Sequence, residues 1–179
     1  FNKYTNWNWA EAVRDWALHT KQYDRASEAI ASRYGFDVRS PRTSNLPQAT
    51  VAPALGHILL AAGHRDQGTA LLAQTVEWID VHPRYGLGGV RRARATAMML
   101  LGERDQALSD LKASIETGHD LRLWWYVVGG DPVWVPVHDD LRFTALAEYC
   151  RAAARAERAK LEALRKAGKV PLRPASTHG

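Results

Sequence analysis

The sequence predicts an all-α fold in which antiparallel helical hairpins stack as a short solenoid, closed by an aromatic C-terminal cap and a long basic terminal helix. Three observations predict it. A six-residue turn motif recurs at a spacing of 39 residues, apolar residues fall at helical spacing on both sides of each copy, and an aromatic, proline-containing segment is followed by one more helical pattern. Composition agrees: with 46% apolar and 24% charged residues over 179 positions, the chain has the balance of a globular protein able to bury a continuous core without disulfides.

The first hairpin is the weakest copy. Trp9, Val13, Trp16 and Ala17 form an apolar stripe, Lys21 stands at the turn, and Tyr23-Asp24-Arg25-Ala26 with Ile30 opens the returning helix. A Pro/Ser-rich loop from Arg39 to Gln48 leads to the second hairpin, where Leu55, Ile58, Leu59 and Ala62 precede the motif Gly63-His64-Arg65-Asp66-Gln67-Gly68 and Leu71, Leu72, Val76 and Ile79 follow it. After the loop from His82 to Gly88, Ala93, Ala97, Met98 and Leu101 lead into Gly102-Glu103-Arg104-Asp105-Gln106-Ala107, and Leu108, Leu111 and Ile115 complete the third hairpin. Gly63 and Gly102 stand where a helix stops and the chain reverses, a position that favours glycine because it requires positive φ. Asp66 and Asp105 are expected to cap the helices that follow.

A turn glycine, a small residue five positions on and a large residue four beyond that resemble the tetratricopeptide repeat, over residues 7 to 118. The spacings of 42 and 39 exceed that family's repeat of about 34. The second and third units lack its usual tryptophan, and Gly68 stands where it has alanine. The resemblance implies a right-handed solenoid whose first helices line a concave groove that holds a polypeptide.

Beyond residue 118, Trp124-Trp125-Tyr126, Asp131-Pro132-Val133-Trp134-Val135-Pro136-Val137 and Asp139-Asp140-Leu141-Arg142-Phe143 are similar to the closing segment of repeat domains in bacterial CadC-type transmembrane regulators and repeat-bearing adenylate cyclases. A capping role for residues 119–138 also follows from physics, because the last unit of a solenoid has an apolar edge and no neighbour. Asp139 or Asp140 is expected to cap a helix over 139–168, with Gly168 and Pro171 ending it, Leu146, Cys150 and Ala153 facing the core, and a disordered tail over 169–179. Large aromatics at helical spacing are expected to fill a core rather than form a ligand platform, with Trp7 and Trp9 the most exposed.

Charge and motifs narrow the function. The net charge of +5 resides in the last 29 residues, which carry +6, so the first 150 carry −1 and no uniformly basic nucleic-acid surface is expected. Glu157 and Glu162 interrupt the basic helix, which keeps nucleic acid a minor reading. No apolar run reaches the roughly 20 residues of a membrane helix. The single Cys150 excludes an intramolecular disulfide, no HExxH or paired Cys/His spacing suggests a metal, and no GxSxG elbow suggests a nucleophile. Gly86-Leu87-Gly88-Gly89-Val90 reads as a flexible connection, since no strand precedes it and no Gly-Lys-Ser/Thr follows. No catalytic residue, metal or cofactor is therefore expected.

Setting the register by the turn residues places Asn8, Glu11, Asp15 and His19 of the first unit, His57 of the second, and Arg92 and Thr96 of the third on the implied groove, acidic at one end and basic at the other. Arg91, Arg92 and Arg94 form a dense basic cluster suited to an acidic peptide or a terminal carboxylate, or else simply a solvated helix face. The expected function is a scaffold or sensor module that binds protein or peptide, with self-association or regulation of an attached enzyme as alternatives. Eighteen arginines against six lysines suggest a bacterial coding sequence, and the opening Phe1-Asn2-Lys3-Tyr4 suggests a piece of a longer protein. The resemblance implies a membrane-tethered parent, with this module on its cytoplasmic or periplasmic side.

Overall fold

A computed structural model describes residues 7–82, 89–117 and 124–170. The regular elements among them are all helical: α1 Trp7–Thr20, α2 Tyr23–Tyr34, α3 Leu46–Ala61, α4 Arg65–Val81, α5 Gly89–Leu101, α6 Arg104–Glu116, α7 Trp124–Gly129, a 3-10 helix Pro132–Val137, and α8 Leu141–Lys166. Most of the loop expected from His82 to Gly88, residues 119–123 of the expected cap and most of the 169–179 tail lie outside the described residues, and of the glycine-rich stretch only Gly89 and Val90 are described, as the start of α5 rather than a connection.

The three hairpin turns follow one backbone course. Gly63 and Gly102 take φ of 88° and 91°, and Lys21, the residue in their place, takes 60°. The next residues, Gln22, His64 and Glu103, lie at φ/ψ of −88°/59°, −80°/58° and −80°/63°. In the last two turns the glycine N–H bonds back to Leu60 or Met99 at 3.1 Å, and the following N–H to Leu59 or Met98 at 2.9 Å. These bonds satisfy carbonyls that the helix end would otherwise leave open.

Because the positive-φ residue reverses the chain in two residues, each returning helix starts at Tyr23, Arg65 or Arg104. Asp66 and Asp105 therefore lie inside the first turn and are not the caps. They face the positive end of the helix dipole instead. Asp140 does cap α8, its side chain accepting from the Arg142 N–H at 2.9 Å, and Gly168, at φ 68°, follows that helix.

The first helices α1, α3 and α5 pack side by side, α2 returns against α3, and α4 returns against α5. Ala26, Gly68 and Ala107, at equivalent positions, are all buried. Gly68 has a specific reason to depart from alanine: a Cβ there would come within 3.0 Å of the Leu60 side chain and 3.1 Å of the Gly56 carbonyl. A Cβ on Gly56 would meet the Leu72 side chain at 2.7 Å. Two glycines thus let α3 and α4 approach closely.

One apolar cluster joins α1 to α4, including Ala10, Ala17, Ile30, Val51, Leu55, Ile58 and Leu71. Another joins α5 and α6 to the C-terminal segment through Met99, Leu108, Leu111, Val133, Trp134, Phe143 and Cys150. Trp134 is fully buried and stacks on Phe143, with ring centroids 6.2 Å apart. Leu146 and Cys150 face the core, Ala153 is half-buried, and the distal half of α8 is mostly exposed.

Two aromatic expectations are corrected. Trp16 is exposed, with the Arg25 guanidinium 5.7 Å from its ring, so Arg14 rather than Trp16 shares the inward stripe with Ala10 and Ala17. Trp9 is only half-buried, packed near Tyr34 with Arg33 over its ring at 4.8 Å, and Trp125 is the more exposed side chain at 61%. The side chains of Trp7 and Trp124 lie outside the described residues. The loop drawn to Gln48 ends at Asn45, which caps α3 by accepting from the Gln48 N–H at 2.9 Å.

Candidate functional site

Charged side chains are gathered where α1, α3 and α5 meet the C-terminal segment. Arg14 is the centre. Its stripe position between Ala10 and Ala17 turns it inward, and its guanidinium donates from Nε to Asp15 at 2.9 Å and from Nη2 to the Tyr126 hydroxyl at 2.7 Å. The same Nη2 lies 2.9 Å from Asp131, and the Tyr126 hydroxyl donates onward to Asp15 at 2.7 Å. Asp131 also accepts from the Val133 N–H at 3.1 Å, so one carboxylate starts the 3-10 helix and holds Arg14. One turn before Asp15, Glu11 accepts a hydrogen bond from Arg92 of α5.

Burial governs the titration of this cluster. It pushes Glu11 up to about 7, against the pull of Arg92 and Arg14. It raises Asp131 as well, beyond what Arg14 and the Val133 N–H offset. Burial alone would lower Arg14, but Asp131, Tyr126, Asp15 and Glu11 outweigh it and hold the guanidinium above its usual range. Tyr126 is raised, chiefly by burial. His57, half-buried on α3, is pushed down to about 4 by burial and by Arg14, with Asp15 opposing, and its Nδ1 finds no hydrogen-bond partner among the described residues.

The groove residues read from the sequence separate into two groups. Glu11, Asp15, His57 and Arg92 come together in or beside the cluster, and Thr96 is buried one turn beyond Arg92. Asn8 and His19 stay exposed toward the two ends of α1. The acidic and basic ends meet rather than stand apart, leaving three carboxylates (Glu11, Asp15, Asp131) against two guanidiniums (Arg14, Arg92).

The three arginines of α5 diverge. Arg91 is exposed, Arg92 turns to Glu11, and Arg94 pairs with Asp80 of α4 at 2.7 Å and with Asp110 of α6. Consecutive helical positions differ by 100° in direction, so a dense run in sequence is spread around the axis.

Arg14, Tyr126 and Asp131 are absent from the groove expected from the sequence. The available signal was a charged residue on the buried stripe of α1, which requires a charged or polar partner. Besides the adjacent Asp15, its partners Tyr126 and Asp131 lie over a hundred positions away, and nothing local points to them.

Chemically, the cluster joins the first unit to the C-terminal segment by ion pairs shielded from water. Its polar groups are largely committed to one another, and what remains open is an edge: Asp15, with 33% of its side chain exposed, half-buried Tyr126, and exposed Trp125, whose ring lies 6.0 Å from that of Tyr126. Among the described residues, no group of three His, Cys, Asp or Glu is arranged to hold a metal ion, and no helix is long and apolar enough to cross a membrane.

No family model, curated protein or solved structure matches the chain.

Proposed function

We propose that this chain is a tetratricopeptide-type interaction module that holds a segment of another polypeptide and carries out no chemistry of its own. The observation that carries this reading is the triple recurrence of one turn, with positive φ at Lys21, Gly63 and Gly102, between helices whose first members pack side by side. Such stacking builds an extended surface from equivalent positions, the usual basis for polypeptide recognition by helical repeats.

The recognition surface in this reading is the open edge of the ion-pair cluster: Trp125, Tyr126 and Asp15, continued along α1 by Asn8 and His19. Trp125 supplies exposed aromatic area, a common anchor at protein interfaces. The buried cluster supplies rigidity, since a partner meeting preorganised groups gives up less ordering entropy. Arg92 belongs to the scaffold, because reversing its charge would set two buried acids against each other.

A displayed library of random peptides, panned against the wild-type domain and a Trp125→Ala/His19→Ala variant, tests the proposal. A shared motif enriched by the wild type alone supports both the reading and the surface. Equal enrichment by both removes this edge as the recognition surface. Failure to enrich any motif counts against the module.

A further inference from the structure

Away from the ion-pair cluster, the connection from Gly35 to Asn45 runs without regular structure yet is anchored along its length. Phe36, Pro41 and Thr43 are buried, and the Thr43 hydroxyl pairs with that of Thr75 at 2.8 Å. Gln48 spans both ends of the loop, donating to the Tyr34 and Gly35 carbonyls and accepting from the Ser44 N–H and hydroxyl. Gln67 of α4 donates to the Arg39 carbonyl at 3.0 Å. An irregular loop held this firmly is a preformed surface, the kind of element on which binding residues are commonly carried.

Between this loop and α4 lies a cleft of about 280 Å³, lined by Arg39, Ser40, Arg42, Asp66, Gln67 and Gln74 among others. Both arginines are exposed, and neither forms an ion pair among the described residues. They differ in this from Arg14 and Arg94, each of which is held by two carboxylates. The first turn of α4 contributes Asp66 and Gln67, and the helix begins without a side-chain cap. The cleft follows the flank of α4 for two turns, from Asp66 and Gln67 to Gln74.

We propose that this cleft binds a single carboxylate group with a neighbouring N–H donor, the chemistry shared by a free amino acid and the C-terminal end of a polypeptide. Two guanidiniums attract the carboxylate, and a guanidinium fork matches its two oxygens. Asp66 sets the charge: with it the lining carries a net single positive charge, which suits a single carboxylate and disfavours a dianionic phosphate. The same carboxylate accepts the ligand's N–H, while Gln74 and the Ser40 hydroxyl add hydrogen-bonding capacity. The volume suits one residue or a chain end rather than a long peptide.

The test is a nuclear magnetic resonance titration of the whole chain, following the Arg Nε–H and Gln side-chain amide signals. The probes are the tripeptide Ala-Ala-Ala with a free terminal carboxylate, its C-terminal amide, free alanine, and inorganic phosphate. We expect saturable shifts at Arg39, Arg42, Gln67 and Gln74 with the free-acid tripeptide, none with its amide, and affinity reduced about tenfold or more by Arg42→Gln. Matching saturation by free alanine assigns the site to a small amino acid, and preference for the tripeptide assigns it to a chain end. The proposal is overturned by absence of saturation at about 10 mM, a thousandfold weaker than the about 10 μM of a moderate ligand. It is equally overturned if the amide binds as well as the acid, if phosphate binds more tightly than either carboxylate, or if Arg158 and Arg165 of α8 shift in parallel.

Discussion

Arg14 and Asp131 stand 117 positions apart in the sequence, and their side chains meet at 2.9 Å with each only 1% exposed. The pair ties the first helix to the segment that follows the third hairpin. Breaking it by removing one partner leaves the other charge in a site closed to water.

Asp131→Ala should therefore lower stability by about 3 kcal/mol, the low end of what a broken buried pair costs, because Asp15 still compensates Arg14. Replacing both residues with apolar ones, Arg14→Met with Asp131→Leu, should recover more than half of that loss, since the one carboxylate then left without its guanidinium, Asp15, is a third exposed to water and keeps the Tyr126 hydroxyl. Urea denaturation of the three proteins measures both effects. A loss under about 1 kcal/mol for the single variant, the level of an exposed pair, would show that the contact contributes little.

The cluster also sets a pH dependence with two opposed parts. Folded Glu11 titrates near 7 against an ordinary value of 4.5, so its contribution is fully present below 4.5 and is lost as pH rises through 7. Asp131, also raised, acts in the same direction. Folded His57 titrates near 4 against 6.5, so its contribution is present above 6.5 and is lost as pH falls toward 4. Between 4.5 and 6.5 the Glu11 and His57 contributions oppose each other. Thermal melts over that interval should show Glu11→Gln losing stability on acidification relative to wild type, and His57→Gln gaining it. Variant profiles parallel to the wild-type one would dismiss the linkage.

At the first turn, Lys21 holds φ of 60°, a conformation that costs an L-residue about 1–2 kcal/mol and that Gly63 and Gly102 adopt without that penalty. Lys21→Gly should raise stability by about 0.5–1 kcal/mol, after allowing for the greater freedom of glycine in the unfolded chain. The midpoint of chemical denaturation checks the sign. A decrease would mean that the lysine side chain contributes more than its backbone costs.

Glycine at position 56 is a packing requirement. Gly56→Ala gains helix propensity but places a Cβ 2.7 Å from the Cγ of fully buried Leu72, which has no room to retreat. A net loss of about 1–3 kcal/mol is expected, read as a fall in melting temperature. Neutral or higher stability would indicate that α3 and α4 can separate at little cost.

Much of the fold was legible in the sequence because its signals are local. Periodic apolar residues marked the hairpins, and positive-φ glycines marked their reversals. Asp140 was one of two adjacent candidates to cap the last helix, which ends beside Gly168 as read. The departures are local as well: Asp66 and Asp105 are cap-type residues, yet each helix already starts one residue earlier, and Arg14 rather than Trp16 lies on the inward stripe of α1.

Sequence alone determined where the three hairpins and the last helix lie and where each hairpin reverses, because backbone conformation and side-chain period depend on near neighbours. Tertiary structure alone decided that Glu11 meets Arg92, that Arg14 meets Tyr126 and Asp131, and that Arg94 turns away to Asp80 and Asp110. Those meetings depend on how closely successive helices approach, which Gly56 and Gly68 help set between α3 and α4, and on where the C-terminal segment returns to α1. Charges distant in sequence are brought together by that packing, and burial then requires them to pair.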